Sequence, residues 1–215
     1  MREVYCISGL GADERIFQRL HVRGVNFNFL RWLDPVGNEP IEDYSKRMAS
    51  QVNEKTPLLM GVSFGGMMAL EISKHIPAQK IILLSSIKSR KEMPEWMKFS
   101  GRLRLNRLAP PRPWKWMSHM ENYLLGTEGL EEEEIARSFR ENIDPQYLSW
   151  AVDQLLNWQN QAQPSPLYQI HGTADRIFPI KKVRATHVLK GAGHFMVMNR
   201  ASQISGILRE ILASK

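Results

Sequence analysis

The sequence predicts an α/β fold: a mostly parallel sheet of about six strands flanked by helices, with a helical cap insertion before the last two strands. Three observations carry this. Short apolar, β-branched runs alternate with helix-patterned stretches through the first hundred residues. That rhythm stops at Lys88 and resumes near Pro166. The strand runs are also apolar at successive positions, so both of their faces need cover, which is the condition of a parallel sheet between helices. A chain of 215 residues fits one domain with an insertion. The expected core is 1–87 with 161–215, and the expected cap is 88–160.

The elements follow in order. Val4 to Leu10 is a β-branched run ending at Gly9 and Gly11, and Asp13 to Leu20 is a short helix. Val25 to Leu33 alternates loosely as a strand. Pro40, Glu42 and Asp43 open a helix whose Ile41, Tyr44, Met48 and Val52 keep helical spacing. Pro57 to Val62 reads as a buried strand, Phe64 to Ile76 as a helix and Lys80 to Ser86 as the next strand. The interval after Lys88 holds two helices, about 131–141 and 145–159. Glu131 to Glu134 place negative charge at the first helix's N-terminus. Leu167 to Thr173 and Ala185 to Leu189 are two further strands. The chain closes on a helix with Ile204, Ile207, Leu208, Ile211 and Leu212 on one face.

Composition narrows the class. An apolar fraction of 43% with 24% charged residues is globular, not disordered or fibrous. The one cysteine, Cys6, allows no intrachain disulfide. The N-terminus reads as a strand rather than a signal peptide, and no apolar run reaches the ~20 residues of a membrane span. A cytoplasmic protein without stable membrane insertion is expected. The net charge of +7 belongs to one segment: Lys88 to Lys115 carries nine basic residues against Glu92 and Glu95, leaving the remainder neutral.

The strongest chemical signal is Gly61-Val-Ser63-Phe-Gly65, followed by Gly66, set between a strand and a helix. A nucleophilic serine must project from a tight strand-to-helix turn, and flanking glycines remove the side chains that would clash. Serine needs a base, and the base needs a carboxylate. His194, in Gly191-Ala-Gly-His194-Phe after the last strand, opens onto the same sheet edge as Ser63. His171 reads as structural, and His21, His75, His119 and His187 as background. Asp175 follows the penultimate strand, whereas Ser85 to Lys91 after the preceding one contains no acid. Backbone N–H groups of Phe64 and Leu10 are the expected oxyanion donors. A dinucleotide fingerprint at Gly9-x-Gly11 is excluded by Glu14, where its third glycine would stand.

With these residues the sequence resembles the α/β-hydrolase superfamily, in its compact capped serine-hydrolase form. The resemblance rests on the oxyanion loop, the elbow Gly-Val-Ser-Phe-Gly-Gly, the His-Gly-Thr-Ala-Asp turn and Gly-Ala-Gly-His. It covers essentially the whole chain. It implies hydrolysis of an ester, thioester, lactone or amide by Ser63, Asp175 and His194, with no metal and no organic cofactor. Two departures stand out. Ser8 occupies a position where many members carry histidine, and the first strand here is the one usually third.

The function expected is a serine hydrolase of carboxylic esters or thioesters working through an acyl-enzyme. Alternatives are C–C bond hydrolysis or lyase chemistry on the same triad, a non-catalytic ligand-binding homologue, and a basic interaction protein acting through segment 88–120. Trp96 and Trp114 are the cap residues expected to contact substrate. The arginines of the cap either face solvent, greet an anionic substrate, or dock on an anionic membrane surface. No nucleic-acid module is recognisable. The expected partner is a small-molecule ester or thioester, and the expected state is a monomer or homodimer.

Overall fold

The computed structural model describes residues 1–104, 106, 118–161, 164 and 166–214. Six strands form one sheet: β1 (Arg2–Ile7), β2 (Val25–Leu30), β3 (Leu58–Val62), β4 (Lys80–Leu84), β5 (Leu167–Gly172) and β6 (His187–Leu189). Their order is β2-β1-β3-β4-β5-β6, and every neighbouring pair is parallel. All strand C-terminal ends therefore lie along one edge, which is where loops from distant parts of the chain can meet.

Side chains alternate between two buried layers. Tyr5 and Ile7 of β1, Leu59 of β3, and Ile81 and Leu83 of β4 face one layer. Val4, Cys6, Leu58, Met60, Ile82 and Leu84 face the other. The first layer is covered by α1 (Ile41–Ala49) and α2 (Phe64–Ile72), the second by α8 (Ala201–Ala213) and a 3-10 turn at Glu14–Phe17. Every residue of α2 is buried, which is why its sequence is apolar all round rather than striped.

Several elements are shorter than their sequence patterns. Helix α2 ends at Ile72, not Ile76, because the helical conformation is disfavoured before Pro77. Strand β2 stops at Leu30, and the amides of Arg31 and Leu33 bond side chains instead, Gln51 Oε1 at 3.0 Å and Tyr44 Oη at 2.9 Å. Strand β6 starts at His187.

Between β4 and β5 lie α3 (Glu95–Arg102), α4 (Ser118–Leu125), α5 (Leu130–Asn142) and α6 (Pro145–Asn157). Two of these, α3 and α4, are absent from the sequence reading. Helix α6 starts on Asp144, which accepts the Tyr147 amide at 2.8 Å, with proline at the first helical position. Gly101 lets α3 lie against the Leu156 carbonyl, where a β-carbon would stand 2.4 Å away. This helical stretch is anchored to the sheet layers by Trp150, whose ring packs 4.1 Å from Tyr44, and by Trp158, whose indole N–H donates to buried Glu71 at 2.8 Å. A short α7 (Met196–Asn199) precedes α8.

Candidate active site

Ser63 stands in the turn from β3 to α2 with φ 53° and ψ −120°. Such a conformation costs a non-glycine residue about 1–3 kcal/mol, so the surroundings must hold it. They do so through contacts only glycine permits. A β-carbon on Gly61 would stand 2.2 Å from the Gly65 carbonyl, and one on Gly65 would stand 2.2 Å from the Ser8 carbonyl. The Ser63 carbonyl accepts from the Gly66 amide at 3.0 Å and from Ser86 Oγ at 2.6 Å.

The loops after β5 and β6 bring the partners in. His194 Nε2 lies 2.9 Å from Ser63 Oγ, and His194 Nδ1 lies 2.8 Å from Asp175 Oδ2. A carboxylate only accepts, so Nδ1 carries the ring hydrogen and Nε2 presents its lone pair to the serine hydroxyl. Asp175 Oδ1 accepts the amides of Ile177 at 2.9 Å and Phe178 at 2.8 Å. Burial pushes the Asp175 carboxyl up, but the charge and hydrogen bond of His194, then His171 and the Phe178 amide, outweigh it and leave it below its ordinary value. Asp175 is therefore a fixed negative charge beside the imidazole. Phe178 meets His194 edge-on, with ring centroids 5.7 Å apart.

Leu10 lies in the loop after β1, and Phe64 follows Ser63 as the first residue of α2. Among the described residues, neither backbone N–H donates a hydrogen bond. Ser8, at the position where histidine is common in the family resembled, donates to the Ala12 carbonyl at 2.6 Å and accepts from Trp32 Nε1 at 2.9 Å. It braces the loop from inside.

A cavity of about 230 Å³ opens over Ser63, walled mainly by Leu10, Leu125, Phe139, Leu155, Ile177 and Phe178. Its acidic wall is Glu121, which is ion-paired to Arg140. Apart from Leu10, sequence reasoning missed this lining because it comes from α4, α5, α6 and the Asp175 loop, none contiguous with the elbow. Only Ile177 and Phe178 had a local signal, as the residues directly after Asp175.

The cap expectations fare differently. Trp96 is 62% exposed and does not line this cavity, and Phe99 is 61% exposed. Helix α3 turns Met97 and Gly101 inward and leaves both aromatic rings outside, so the expected substrate contact of Trp96 is not seen. Trp114 lies outside the described residues. None of the described basic residues from 88 to 104 lines the cavity. Several are spent within the fold: Arg90 on the carbonyls of Leu156 and Trp158, and Lys88 on the carbonyl of Arg184. Among the described residues, no group of three or more His, Cys, Asp or Glu is placed to hold a metal ion, and no helix is long and apolar enough to cross a membrane.

Comparison with known proteins places this geometry in context. The profile of the alpha/beta hydrolase family matches residues 4–204. No curated protein matches the sequence. Among solved structures, a thermophilic esterase from Thermogutta terrifontis superposes with a TM-score of 0.76 at 18% identity, covering 99% of this chain and 89% of that one. An esterase from Exiguobacterium antarcticum gives 0.71 at 15% identity, covering 100% and 92%. A hydrolase from Pseudomonas aeruginosa gives 0.74 at 12% identity, covering 99% and 90%. At these identities the likeness is one of fold.

Proposed function

The chain belongs to the alpha/beta hydrolase family, and from that premise we propose that it is a serine hydrolase cleaving small, uncharged carboxylic esters through an acyl-enzyme. The observation that carries this reading is the unbroken chain from Ser63 Oγ through His194 to Asp175, at 2.9 and 2.8 Å, ending on a serine held at positive φ. The esterases among its structural neighbours agree with it.

In this mechanism Ser63 Oγ attacks the ester carbonyl while His194 Nε2 takes its proton. Asp175 stabilises the imidazolium and keeps its orientation. The free N–H groups of Leu10 and Phe64 receive the developing oxyanion, a contribution worth about 3–4 kcal/mol per donor in comparable sites. His194 then returns the proton to the departing alcohol. Water, activated by the same imidazole, releases the acid and restores Ser63.

Cavity size and polarity select the substrate. An apolar void of about 150 Å³ holds benzene, so about 230 Å³ accommodates a short acyl or alkyl group. Among the described residues no Lys or Arg lines the cavity to receive an anionic acyl group, and the one carboxylate there, Glu121, is already paired with Arg140. We read residues 88–160 as a cap whose Leu125, Phe139 and Leu155 roof the site.

A p-nitrophenyl ester series tests this. Acetate and butyrate esters should turn over, the dodecanoate should not, and a matched succinate monoester should react at least tenfold more slowly than butyrate. Equal rates on the succinate and butyrate esters would contradict the charge argument. No turnover of any of them by folded protein would contradict the hydrolase reading.

A further inference from the structure

His171, next to last in β5, is fully buried and takes no part in the proton path described above. Its Nε2 lies 2.7 Å from the Phe178 carbonyl. A carbonyl only accepts, so Nε2 bears the hydrogen. Nδ1 is then bare, buried and without a hydrogen-bond partner among the described residues. Protonating it would add a donor with nothing to receive it. Burial also holds this imidazole below its ordinary pKa, against the pull of Asp175.

The neutral ring thus leaves one buried polar atom unsatisfied, which costs the fold stability. That cost asks what the Nε2 bond secures. Phe178 meets the Ser63–His194–Asp175 chain in two ways. Its amide holds Asp175 Oδ1 at 2.8 Å, and its ring abuts His194 at 5.7 Å between centroids. It also forms a wall of the cavity. The same His171 Nε2 stands 3.4 Å from Asp175 Oδ2, too far for a full hydrogen bond but close enough to favour the carboxylate.

We propose that His171 is a positioning residue: by donating Nε2–H to the Phe178 carbonyl, it fixes the residue that holds Asp175 with its amide and His194 with its ring. The inference rests on the hydrolase reading and adds a fourth side chain to its alignment. It acts through Phe178 and touches neither substrate nor Ser63.

The test compares His171→Gln with His171→Asn in the full-length protein. The glutamine amide nitrogen reaches where Nε2 stands, whereas the asparagine nitrogen stops near Nδ1, where no acceptor waits. On p-nitrophenyl butyrate, Gln should keep kcat within about threefold of wild type. Asn should lose about 10- to 100-fold in kcat with KM within twofold, the size expected of a small misalignment. Fluorophosphonate labelling of Ser63 should slow by the same factor. Equal activity in the two variants, or losses that merely track their Tm, would overturn the role.

A second measurement needs no variant. Nitrogen-15 NMR of the wild-type histidines should find one ring protonated at Nε2 and bare at Nδ1 and insensitive to mild acid. The opposite tautomer at His171 would overturn the proposal. Failure of wild type to label at Ser63 would refute the hydrolase reading itself. Normal wild-type labelling with an unaffected Asn variant would refute only the positioning role.

Discussion

The Ser86 hydroxyl donates to the Ser63 carbonyl at 2.6 Å, so the peptide that holds the left-handed serine is clamped from the end of β4. Ser86 is fully buried, and its Oγ fills the space that a side chain on Gly66 would need. Removing this donor should relax the turn without emptying the site. Ser86→Ala is expected to lose about 1 kcal/mol of stability, the net value of one such bond. It should also lose about tenfold in acylation rate, because Ser63 Oγ is no longer held on His194. Denaturant midpoints and labelling rates of the folded variant check both.

Two glycines make opposite predictions from the same substitution. A β-carbon on Gly65 would stand 2.2 and 2.3 Å from the carbonyls of Ser8 and Ile7, both backbone atoms that cannot yield locally. Gly65→Ala is expected to cost at least about 3 kcal/mol, the upper range of overpacking, and to abolish activity. Gly206, inside α8, has nothing within 4 Å of that position. Gly206→Ala should therefore stabilise the fold by up to about 1 kcal/mol through helix propensity, with activity unchanged. Urea unfolding of both variants measures the contrast.

Lys80 closes the far end of the sheet from the site. Its Nζ is buried and donates to the Ile211 carbonyl and Ser214 Oγ at 2.8 Å, and to the Ser214 carbonyl at 2.5 Å. It thereby caps the last turn of α8, where a cation also suits the helix dipole. Lys80→Met would take the donor from the Ser214 carbonyl, while the Ile211 carbonyl would keep the Ser214 hydroxyl at 2.8 Å, and should cost about 1–3 kcal/mol. The kcat on butyrate ester should stay within twofold, since Lys80 lies at the opposite sheet edge. A large loss of kcat at unchanged stability would contradict this assignment.

Acid stability carries a signature of His171. Its folded pKa is depressed by burial, so the unfolded chain binds the proton first as pH falls through about 6.5. The stabilisation is complete above that pH and is lost progressively as pH drops toward the folded value. Asp175, with its folded pKa lowered, loses its own contribution only at more acid pH, below the ordinary carboxylate value. Replacing His171 by Gln should therefore flatten the stability profile just below pH 6.5 and leave the steeper acid limb in place. Urea midpoints measured from pH 7.5 to 4 show whether it does.

The sheet was legible because its central strands β1, β3, β4 and β5 are short, largely apolar runs, a pattern that parallel strands require when both faces are covered, while β2 at the edge shows a looser alternation. Ser63, Asp175 and His194 were legible because each sits just past a strand, and the structure brings them into hydrogen-bonding contact. Helix α3 was not, because its buried face is only Met97 and Gly101 while Trp96 and Phe99 face out, the reverse of an amphipathic stripe. Helix α4 was missed with it. The cavity wall was illegible for a different reason. Leu125, Phe139 and Leu155 come from three helices whose approach depends on packing, such as Gly101 against Leu156, that no local pattern encodes. His171 had a strand-end position in view, but its meaning lies in the Phe178 carbonyl it faces.

If His194 takes the Ser63 proton, Ser63 is an activated nucleophile. Fluorophosphonate labelling of the purified protein, located by peptide mass spectrometry, tests it most directly. A single adduct is expected on Ser63, lost in Ser63→Ala and slowed by at least a hundredfold in His194→Ala. An adduct elsewhere, or a folded protein that stays unlabelled at Ser63 while hydrolysing the butyrate ester, would contradict it.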